Sequence, residues 1–231
     1  PMKKQFNNSM FMKCKNVIRN LHYLDILKYT QSGFNNPNFL TTLDNFYNKL
    51  ILDYNLIIPS TLEYIQNNQI SGVFSSMFFR ASIMNPYLVY SLNHSLFKAS
   101  KVFTPTLGWS SYCYGFLECE YIKEYVGTDV IPSVCKKTKL FANKFYKDKI
   151  TNIYCSPSES LLHNYNFIQK YNKHFDLVFF SPPYYKLELY QSKQQSTNNY
   201  DSDDKWLSNY WEQTIILCHK VLINGGKLCY I

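Results

Sequence analysis

The residues from Ser100 onward predict an α/β fold built on an open, mostly parallel, doubly wound sheet. Short apolar runs alternate with helical patterns here, which is typical of parallel strands joined by crossover helices. A mostly helical N-terminal region precedes them. The apolar runs that we expect to form strands are Lys101–Phe103, Tyr125–Thr128, Asn152–Tyr154, Asp176–Phe180 and Lys227–Ile231.

Three helices of this domain are predicted from their end signals and apolar spacing. Asn85-Pro86 has the form of an N-cap followed by a first-turn proline, with an apolar face made of Leu88, Leu92 and Leu96. A second helix opens at Pro132 and is expected to direct inward Val134, Thr138, Phe141 and Phe145. The third carries Leu207, Trp211, Ile215, Cys218 and Leu222, and Asn224-Gly225-Gly226 is expected to end it.

Two regions are expected along the chain, a helical one over residues 1–70 and the α/β domain over residues 71–231. Apolar residues recur at helical spacing in the first region, which contains no chemical motif. The chain begins Pro1-Met2 and stops inside the apparent strand Lys227–Ile231. We therefore expect the C-terminal part of the sheet to be missing from this sequence.

Composition excludes several classes of protein. Of the 231 residues, 46% are apolar and 17% charged, which suits one globular core. Seven cysteines without a C-x-x-C pair argue against a disulfide framework and against a zinc site, so no metal is expected. No apolar run has the length of a membrane span, and no signal peptide is apparent. These features predict a soluble, cytoplasmic protein with no membrane partner.

A net charge of +8 predicts attraction to phosphate backbones, without sequence preference. A lysine-rich surface that has no partner fits this charge equally well. Tyrosine is abundant (21) and glycine scarce (7), which indicates the bias of an AT-rich genome such as that of a large DNA virus. Tyrosine content alone is therefore weak support for base stacking.

The segment Ser181-Pro182-Pro183-Tyr184 directly follows the predicted strand Asp176–Phe180. Doubly wound sheets bind ligands at the carboxyl ends of their strands. Two prolines fix the backbone there, so a serine and an aromatic ring are presented with little reorganisation. Such a turn suits a flat substrate that carries an amine. The structural alternative is a turn that closes the strand, with Tyr184 and Tyr185 as core aromatics.

Ser181 to Tyr184 resemble motif IV of the amino-methyltransferases, which transfer a methyl group from S-adenosylmethionine to an exocyclic amine of cytosine or adenine. The resemblance covers about residues 72–231 and implies a Rossmann-like class I methyltransferase of the phage or viral DNA-modifying kind. Ser181 and the Pro182 carbonyl would accept hydrogen bonds from the amine, with Pro183 stiffening the turn. Serine in first place favours cytosine N4 over adenine N6.

The same resemblance implies how a base would be held. Tyr184 would stack on a base flipped out of the duplex, because a paired amine cannot meet the methyl donor in line. Tyr185 and Lys186 would line the opening of the substrate site.

The resemblance also implies a cofactor site. The family's loop Asp-Pro-x-x-Gly-x-Gly corresponds here to Thr104-Pro105-Thr-Leu-Gly108-Trp-Ser110, in which Thr104 replaces the acid and Ser110 the second glycine. Thr104, Pro105 and Gly108 would curl around the methionine part of S-adenosylmethionine. Asp129 corresponds to the acid that accepts the ribose hydroxyls, although capping of the helix near Pro132 is its alternative role.

Ser158 and Glu159 resemble the segment that approaches the adenine of the cofactor, although a lone glutamate in this place is more often a solvated charge. The replacements at Thr104 and Ser110 keep open a non-catalytic binding subunit of the same fold. An RNA base methyltransferase is a further alternative, because basic, aromatic-rich surfaces also suit single strands. About twenty residues separate Glu159 from Ser181, too few for a recognition domain, so recognition would come from residues 1–70, a missing C-terminal region or a partner subunit.

Overall fold

The computed structural model describes residues 21–32, 41, 44–45, 47–50, 59–68, 83–185, 188–190, 193 and 195–231. The contacts divide the chain into two compact units. The first unit comprises Pro1–His22, Ile83–Pro183 and Ser192–Ile231, and the second comprises Tyr23–Ser82 and Tyr184–Gln191. The domain boundary expected at residue 70 stays a prediction.

Helices and strands alternate along the part of the chain that the structure describes. The strands are β1 (Thr30–Ser32), β2 (Lys101–Thr104), β3 (Glu124–Asp129), β4 (Ile150–Cys155), β5 (Phe175–Phe180), β6 (Glu188–Tyr190) and β7 (Leu222–Tyr230). The α-helices are α1 (Tyr23–Tyr29), α2 (Pro59–Gln66), α3 (Pro86–Leu92), α4 (Ser111–Leu117), α5 (Pro132–Phe145), α6 (Ser158–Leu161), α7 (Tyr165–Tyr171), α8 (Ser196–Asn199), α9 (Asp203–Trp206) and α10 (Glu212–Val221). Two segments are π-helical, Asn93–Phe97 and Leu207–Trp211.

The first unit is built on a five-stranded sheet with the order β4-β3-β2-β5-β7. All four strand pairings in it are parallel. Counted along the chain, the order is third, second, first, fourth, fifth, which is the Rossmann-like doubly wound order with its switch point between β2 and β5. The predicted α/β fold with a doubly wound parallel sheet is confirmed.

Both faces of the sheet are covered, which explains the continuous apolar runs of its central strands. Phe179 and Phe180 are neighbours in β5 and are both buried, so their side chains leave opposite faces. Phe180 belongs to a core cluster with residues of α7 and α10. Phe179 meets the rings of Tyr112 and Phe116 of α4, with centroid distances of 5.3 and 5.5 Å.

The last strand begins earlier than its sequence predicts. Helix α10 ends at Val221, and the glycines that were expected to end the helix lie inside β7. The pairing with β5 shifts register between Phe175↔Leu222 and Leu177↔Lys227. Gly225 has a φ of 78° there. The glycines therefore mark an irregularity of the strand, where a residue without Cβ is favoured.

Two helices show where apolar spacing was a good guide and where it was wrong. The Asn85 side chain accepts a hydrogen bond from the Tyr87 amide at 3.0 Å, so the predicted N-cap is confirmed. The predicted apolar face is wrong, because the buried residues of α3 are Pro86, Tyr87, Val89 and Ser91, while Leu88 and Leu92 are half-buried. Leu96 is 62% exposed, because the helix widens into the π-helical segment Asn93–Phe97. In α5, Phe141 is buried as predicted but Phe145, the last residue, is 44% exposed.

The second unit contains α1, α2 and a small sheet of β1 and β6. The two strands are antiparallel, with Thr30 opposite Tyr190 and Ser32 opposite Glu188. Thr30 also donates its hydroxyl proton to the carbonyl of Ile26 at 2.6 Å, which ties the start of β1 to α1. Neither short strand was predicted, because three residues carry too little pattern to be recognised.

Candidate functional site

The carboxyl ends of β2, β3, β4 and β5 lie along one edge of the sheet in the first unit. Strand register places Thr104 beside Gly127 and Asp129 beside Cys155. The loop after β2 is connected to two neighbours, because the Leu107 amide donates to Asp129 and the Thr106 hydroxyl donates to the carbonyl of Ser181. The predicted site residues of this unit therefore converge on one edge, as the doubly wound fold requires.

Asp129 joins the loop after β2 to the segment that leads into α5. Its Oδ2 accepts the Leu107 amide at 3.2 Å, and its Oδ1 accepts the Ile131 amide at 3.1 Å. Burial raises the pKa of this carboxyl, and the backbone donors oppose that rise. Each carboxylate oxygen can accept a second hydrogen bond. The carboxylate thus braces the backbone and has acceptor capacity for a diol.

The loop after β2 contains three successive residues in the left-handed region of backbone conformation. The φ values are 50° at Gly108, 55° at Trp109 and 66° at Ser110. A Cβ at Gly108 would lie 2.4 Å from Cζ of Tyr112, so glycine is needed there for packing as well as for its φ. Trp109 and Ser110 adopt the same region with a side chain, which costs on the order of 1–3 kcal/mol at each residue.

Thr104, in the place of the expected acid, is turned into the core. Its side chain is fully buried, and Oγ1 lies 2.6 Å from the Tyr125 hydroxyl. Pro105 is buried beside it. Thr104 therefore offers no carboxylate to a cationic amino group, and its hydroxyl contributes to the packing of β2 against β3.

Ser158 and Glu159 form a buried polar cluster with residues that are distant in the sequence. The Tyr200 hydroxyl donates to Glu159 Oε1 at 3.3 Å, and the hydroxyls of Ser158 and Thr214 lie 3.1 Å apart. Glu159 is only 6% exposed, so the solvated charge that is commoner at such a position is not found. Burial raises the pKa of its carboxyl, against the hydrogen bond from Tyr200.

Tyr210 belongs to this cluster and was missed from the sequence. It is 4% exposed, and its hydroxyl lies near Ser158 and Glu159. Burial raises the pKa of Tyr210 well above its usual value, and the nearby charge of Glu159 adds to that effect. The residue lies in the π-helical turn Leu207–Trp211, which an α-helical pattern does not anticipate.

One signal in the sequence could have revealed this turn. Trp206 and Trp211 are five positions apart, and their rings are nearly parallel, with an interplanar angle of 6° and a centroid distance of 6.4 Å. Residues five apart do not share a face of an α-helix, but they do in a π-helical turn.

Ser181 has its hydroxyl proton and its carbonyl engaged by neighbouring segments. The hydroxyl donates to the carbonyl of Ile231 at 3.1 Å, and the carbonyl accepts from the Thr106 hydroxyl at 3.1 Å. The role of Ser181 Oγ as an acceptor toward an amine stays a prediction. Pro182 and Pro183 follow Ser181 and are half-buried.

The remaining predicted substrate residues belong to the second unit or lie outside the description. Tyr184 is 46% exposed, which argues against the alternative that it is a core aromatic. Tyr185 has a φ of 33° and is half-buried. Lys186 lies outside the described residues. Their roles toward a base stay predictions.

The groups present at the sheet edge fit S-adenosylmethionine in part. Asp129 has the acceptor capacity for a ribose diol, and the buried polar side chains of Ser158, Glu159 and Tyr210 offer hydrogen-bonding groups to a polar heterocycle. The residues fit the methionine part of S-adenosylmethionine less well, because the Thr104 side chain is turned into the core.

Two further findings concern the described residues only. None of their helices is both long and apolar enough to cross a bilayer. Within the same residues, His, Cys, Asp and Glu side chains do not gather in a group of three that could hold a metal ion.

No family model matches the sequence, and no curated protein sequence matches it. Solved structures do match. One is a proposed methylase of Haemophilus influenzae, at 14% identity over 63% of this chain and 70% of that chain, with a TM-score of 0.37. Another is a methyltransferase of Geobacter sulfurreducens, at 10% identity over 86% of this chain and 79% of that chain, with a TM-score of 0.39.

A third similar structure is a proposed caffeoyl-CoA O-methyltransferase of Staphylococcus aureus. It has 10% identity over 75% of this chain and 66% of that chain, with a TM-score of 0.35. The assignment of the fold rests on the strand order and the parallel register of the sheet.

Proposed function

We propose that this protein is an S-adenosylmethionine-dependent methyltransferase that acts on an exocyclic amine of a DNA base, with cytosine N4 favoured over adenine N6. The observation that supports the proposal is the position of Ser181 at the carboxyl end of β5, directly before the Pro-Pro turn. Ser181 stands at the same edge as Asp129 and the loop after β2.

An acceptor at this position matches the chemistry of an aryl amine. The nitrogen lone pair of such an amine is delocalised into the ring, so the amine is a weak nucleophile. Hydrogen bonds from its N–H groups to Ser181 Oγ and to the Pro182 carbonyl would orient the amine and counter the positive charge that develops on nitrogen. S-adenosylmethionine supplies the electrophilic methyl group when bound.

The other residues have proposed roles in binding. Asp129 accepts the ribose hydroxyls, and Gly108 and Pro105 shape the loop around the methionine part, next to Thr104. Ser158 and Glu159 face the adenine. In the second unit Tyr184 stacks on a base flipped out of the duplex, with Tyr185 and Lys186 at the opening of the site.

DNA is the proposed partner because of the net charge of +8, which favours polyanions through counterion release. The serine in the first place of the Pro-Pro turn is the reason for preferring cytosine N4. RNA stays the alternative substrate. A separate recognition subunit is the alternative source of sequence selectivity.

One structural observation favours a second candidate, a non-catalytic binding subunit with the methyltransferase fold. Thr104 is bonded to Tyr125 in the core, and Ser110 is fully buried, so neither hydroxyl faces a ligand. A protein that had lost the acid of this loop would bind S-adenosylmethionine weakly or not at all.

Calorimetric titration with S-adenosylmethionine separates the two candidates, followed by transfer of a labelled methyl group into defined DNA and RNA. The proposed enzyme binds the cofactor and labels DNA. Absence of cofactor binding sinks the enzyme proposal and leaves the binding subunit. If the protein binds the cofactor but labels only RNA, the substrate is RNA rather than DNA.

A further inference from the structure

A buried chain of hydrogen bonds connects His22 to the loop after β2 and to helix α5. His22 Nε2 lies 2.6 Å from Ser110 Oγ, and Ser110 Oγ lies 2.5 Å from Thr138 Oγ1. Thr138 in turn donates to the carbonyl of Val134 at 2.7 Å. The side chains of His22, Ser110 and Thr138 are all fully buried. The two members of the first bond are 88 positions apart in the sequence.

The number of protons available along this series of hydrogen bonds determines which group donates in each of them. A carbonyl can only accept, so the hydroxyl proton of Thr138 goes to Val134. Thr138 Oγ1 must then accept the proton of Ser110, which leaves Ser110 Oγ as the acceptor toward His22. His22 therefore donates from Nε2–H, and this assignment follows from the partners rather than from any observed hydrogen.

The loop that receives this bond is the strained part of the site. Ser110 and Trp109 both have a left-handed backbone that a residue with Cβ seldom adopts. The His22 and Trp109 rings are in contact, with centroids 5.9 Å apart. A second anchor is adjacent, since Lys137 Nζ donates to the carbonyl of Leu21 at 2.9 Å. Such strain persists only where the surroundings hold it.

We propose that His22 is a positioning residue for the loop after β2, which is the proposed cofactor loop. It holds Ser110 by donating from Nε2, and so keeps residues 108–110 in the conformation that carries Leu107 to Asp129. The benefit to cofactor binding rests on the proposed function, whereas the hold on the loop does not. His22 would not touch the cofactor itself. A residue of the N-terminal segment thereby becomes part of the site.

The test compares two substitutions of His22 in the full chain. His22→Gln places an amide N–H close to the position of Nε2 and keeps the donor, whereas His22→Leu removes it. His219→Leu is the matched control, because His219 is exposed on α10. Hydrogen exchange of peptides covering residues 105–114 reports the loop without any cofactor, and calorimetry gives the dissociation constant for S-adenosylmethionine.

His22→Leu is expected to speed exchange in the loop about tenfold or more and to weaken cofactor binding by a similar factor, as follows from losing a buried hydrogen bond. His22→Gln and His219→Leu should match the wild type in both measurements. Thr138→Val removes the acceptor for the Ser110 proton and should also speed exchange in the loop, so the test survives if His22→Leu does not fold.

The inference is overturned if hydrogen exchange in the loop is the same as in the wild type in both His22→Leu, which lacks the donor, and Thr138→Val, which lacks the acceptor. Equal effects of His22→Gln and His22→Leu also overturn it, because a purely steric role would not distinguish a retained donor from a lost one. A wild-type protein that does not bind S-adenosylmethionine contradicts the proposed function instead. The exchange data then still decide whether His22 holds the loop.

Discussion

At the scale of single residues, Asp129 has two tasks on one carboxylate. Its carboxylate accepts hydrogen bonds from the backbone amides of two segments, and it is proposed to accept hydrogen bonds from the ribose diol. Asp129→Ala is therefore expected to weaken S-adenosylmethionine binding about tenfold or more, with a smaller effect on turnover at saturating cofactor. Calorimetry and steady-state kinetics measure the two quantities. Asp148→Ala, at an exposed aspartate, is the control, and equal cofactor affinity in both variants would contradict the assignment.

Unlike Asp129, Tyr184 is expected to affect turnover on DNA and not the binding of the cofactor. Removing a ring that stacks on a flipped base costs about 1–3 kcal/mol, so Tyr184→Ala is expected to lower kcat/KM for DNA about tenfold or more. Its dissociation constant for S-adenosylmethionine should stay near that of the wild type. Tyr165→Ala, at a tyrosine that is 75% exposed on α7, serves as the comparison. A loss of cofactor affinity as large as that of Asp129→Ala would mean that Tyr184 is structural.

Glu159 predicts a specific dependence of stability on pH. Burial raises the pKa of its carboxyl, so the folded protein binds more protons than the unfolded chain between the two pKa values. The contribution of Glu159 to stability is therefore fullest below the unfolded pKa and decreases as pH rises through the folded pKa.

Glu159→Gln, which cannot titrate, is the variant that isolates this contribution. The wild type should gain stability relative to Glu159→Gln as pH falls toward the ordinary glutamate pKa of about 4.3, because the folded carboxyl takes up its proton at a higher pH than the unfolded one. Urea unfolding at several pH values measures the difference. Glu120→Gln changes an exposed glutamate and should show no such trend. A constant difference between wild type and Glu159→Gln would refute the burial argument.

At the scale of elements, helix α5 offers a comparison within one helix. Phe141 packs edge-on against Tyr114 with centroids 5.5 Å apart, whereas Phe145 is 44% exposed. Phe141→Ala is expected to lower the free energy of unfolding by about 3–5 kcal/mol, the usual cost of emptying a buried phenylalanine site. Phe145→Ala should cost less than about 1 kcal/mol. Similar values for both variants in denaturant titrations would contradict the packing of this helix.

The same helix shows what apolar spacing can and cannot predict. Pro132 correctly predicted the start of α5, and the spacing correctly predicted the burial of Phe141, because a 3.6-residue period determines which face of the helix packs against the domain. It could not tell that the last residue, Phe145, is 44% exposed. The π-helical turn around Tyr210 was missed for a related reason, since one extra residue per turn rotates every side chain that follows it.

At the scale of the whole molecule, the sequence was most informative about residues that end strands. The order of the parallel strands brings those ends to one edge, so the sequence could predict that Asp129 and Ser181 lie at the same edge of the sheet. The partners that hold the site could not be predicted. His22, Thr138 and Tyr200 reach it through tertiary contacts between distant positions, and no local pattern encodes such contacts.

The most direct test of the proposed function is mass spectrometry of nucleosides from unmethylated DNA incubated with the full chain and S-adenosylmethionine. The proposed acceptor role of Ser181 predicts that N4-methylcytosine appears, and that its yield falls about 10²-fold or more in Ser181→Ala, as happens when one hydrogen bond that stabilises a transition state is lost. The Tyr165→Ala variant should retain the wild-type yield. DNA without N4-methylcytosine or N6-methyladenine, from a protein that binds the cofactor, would contradict the proposal.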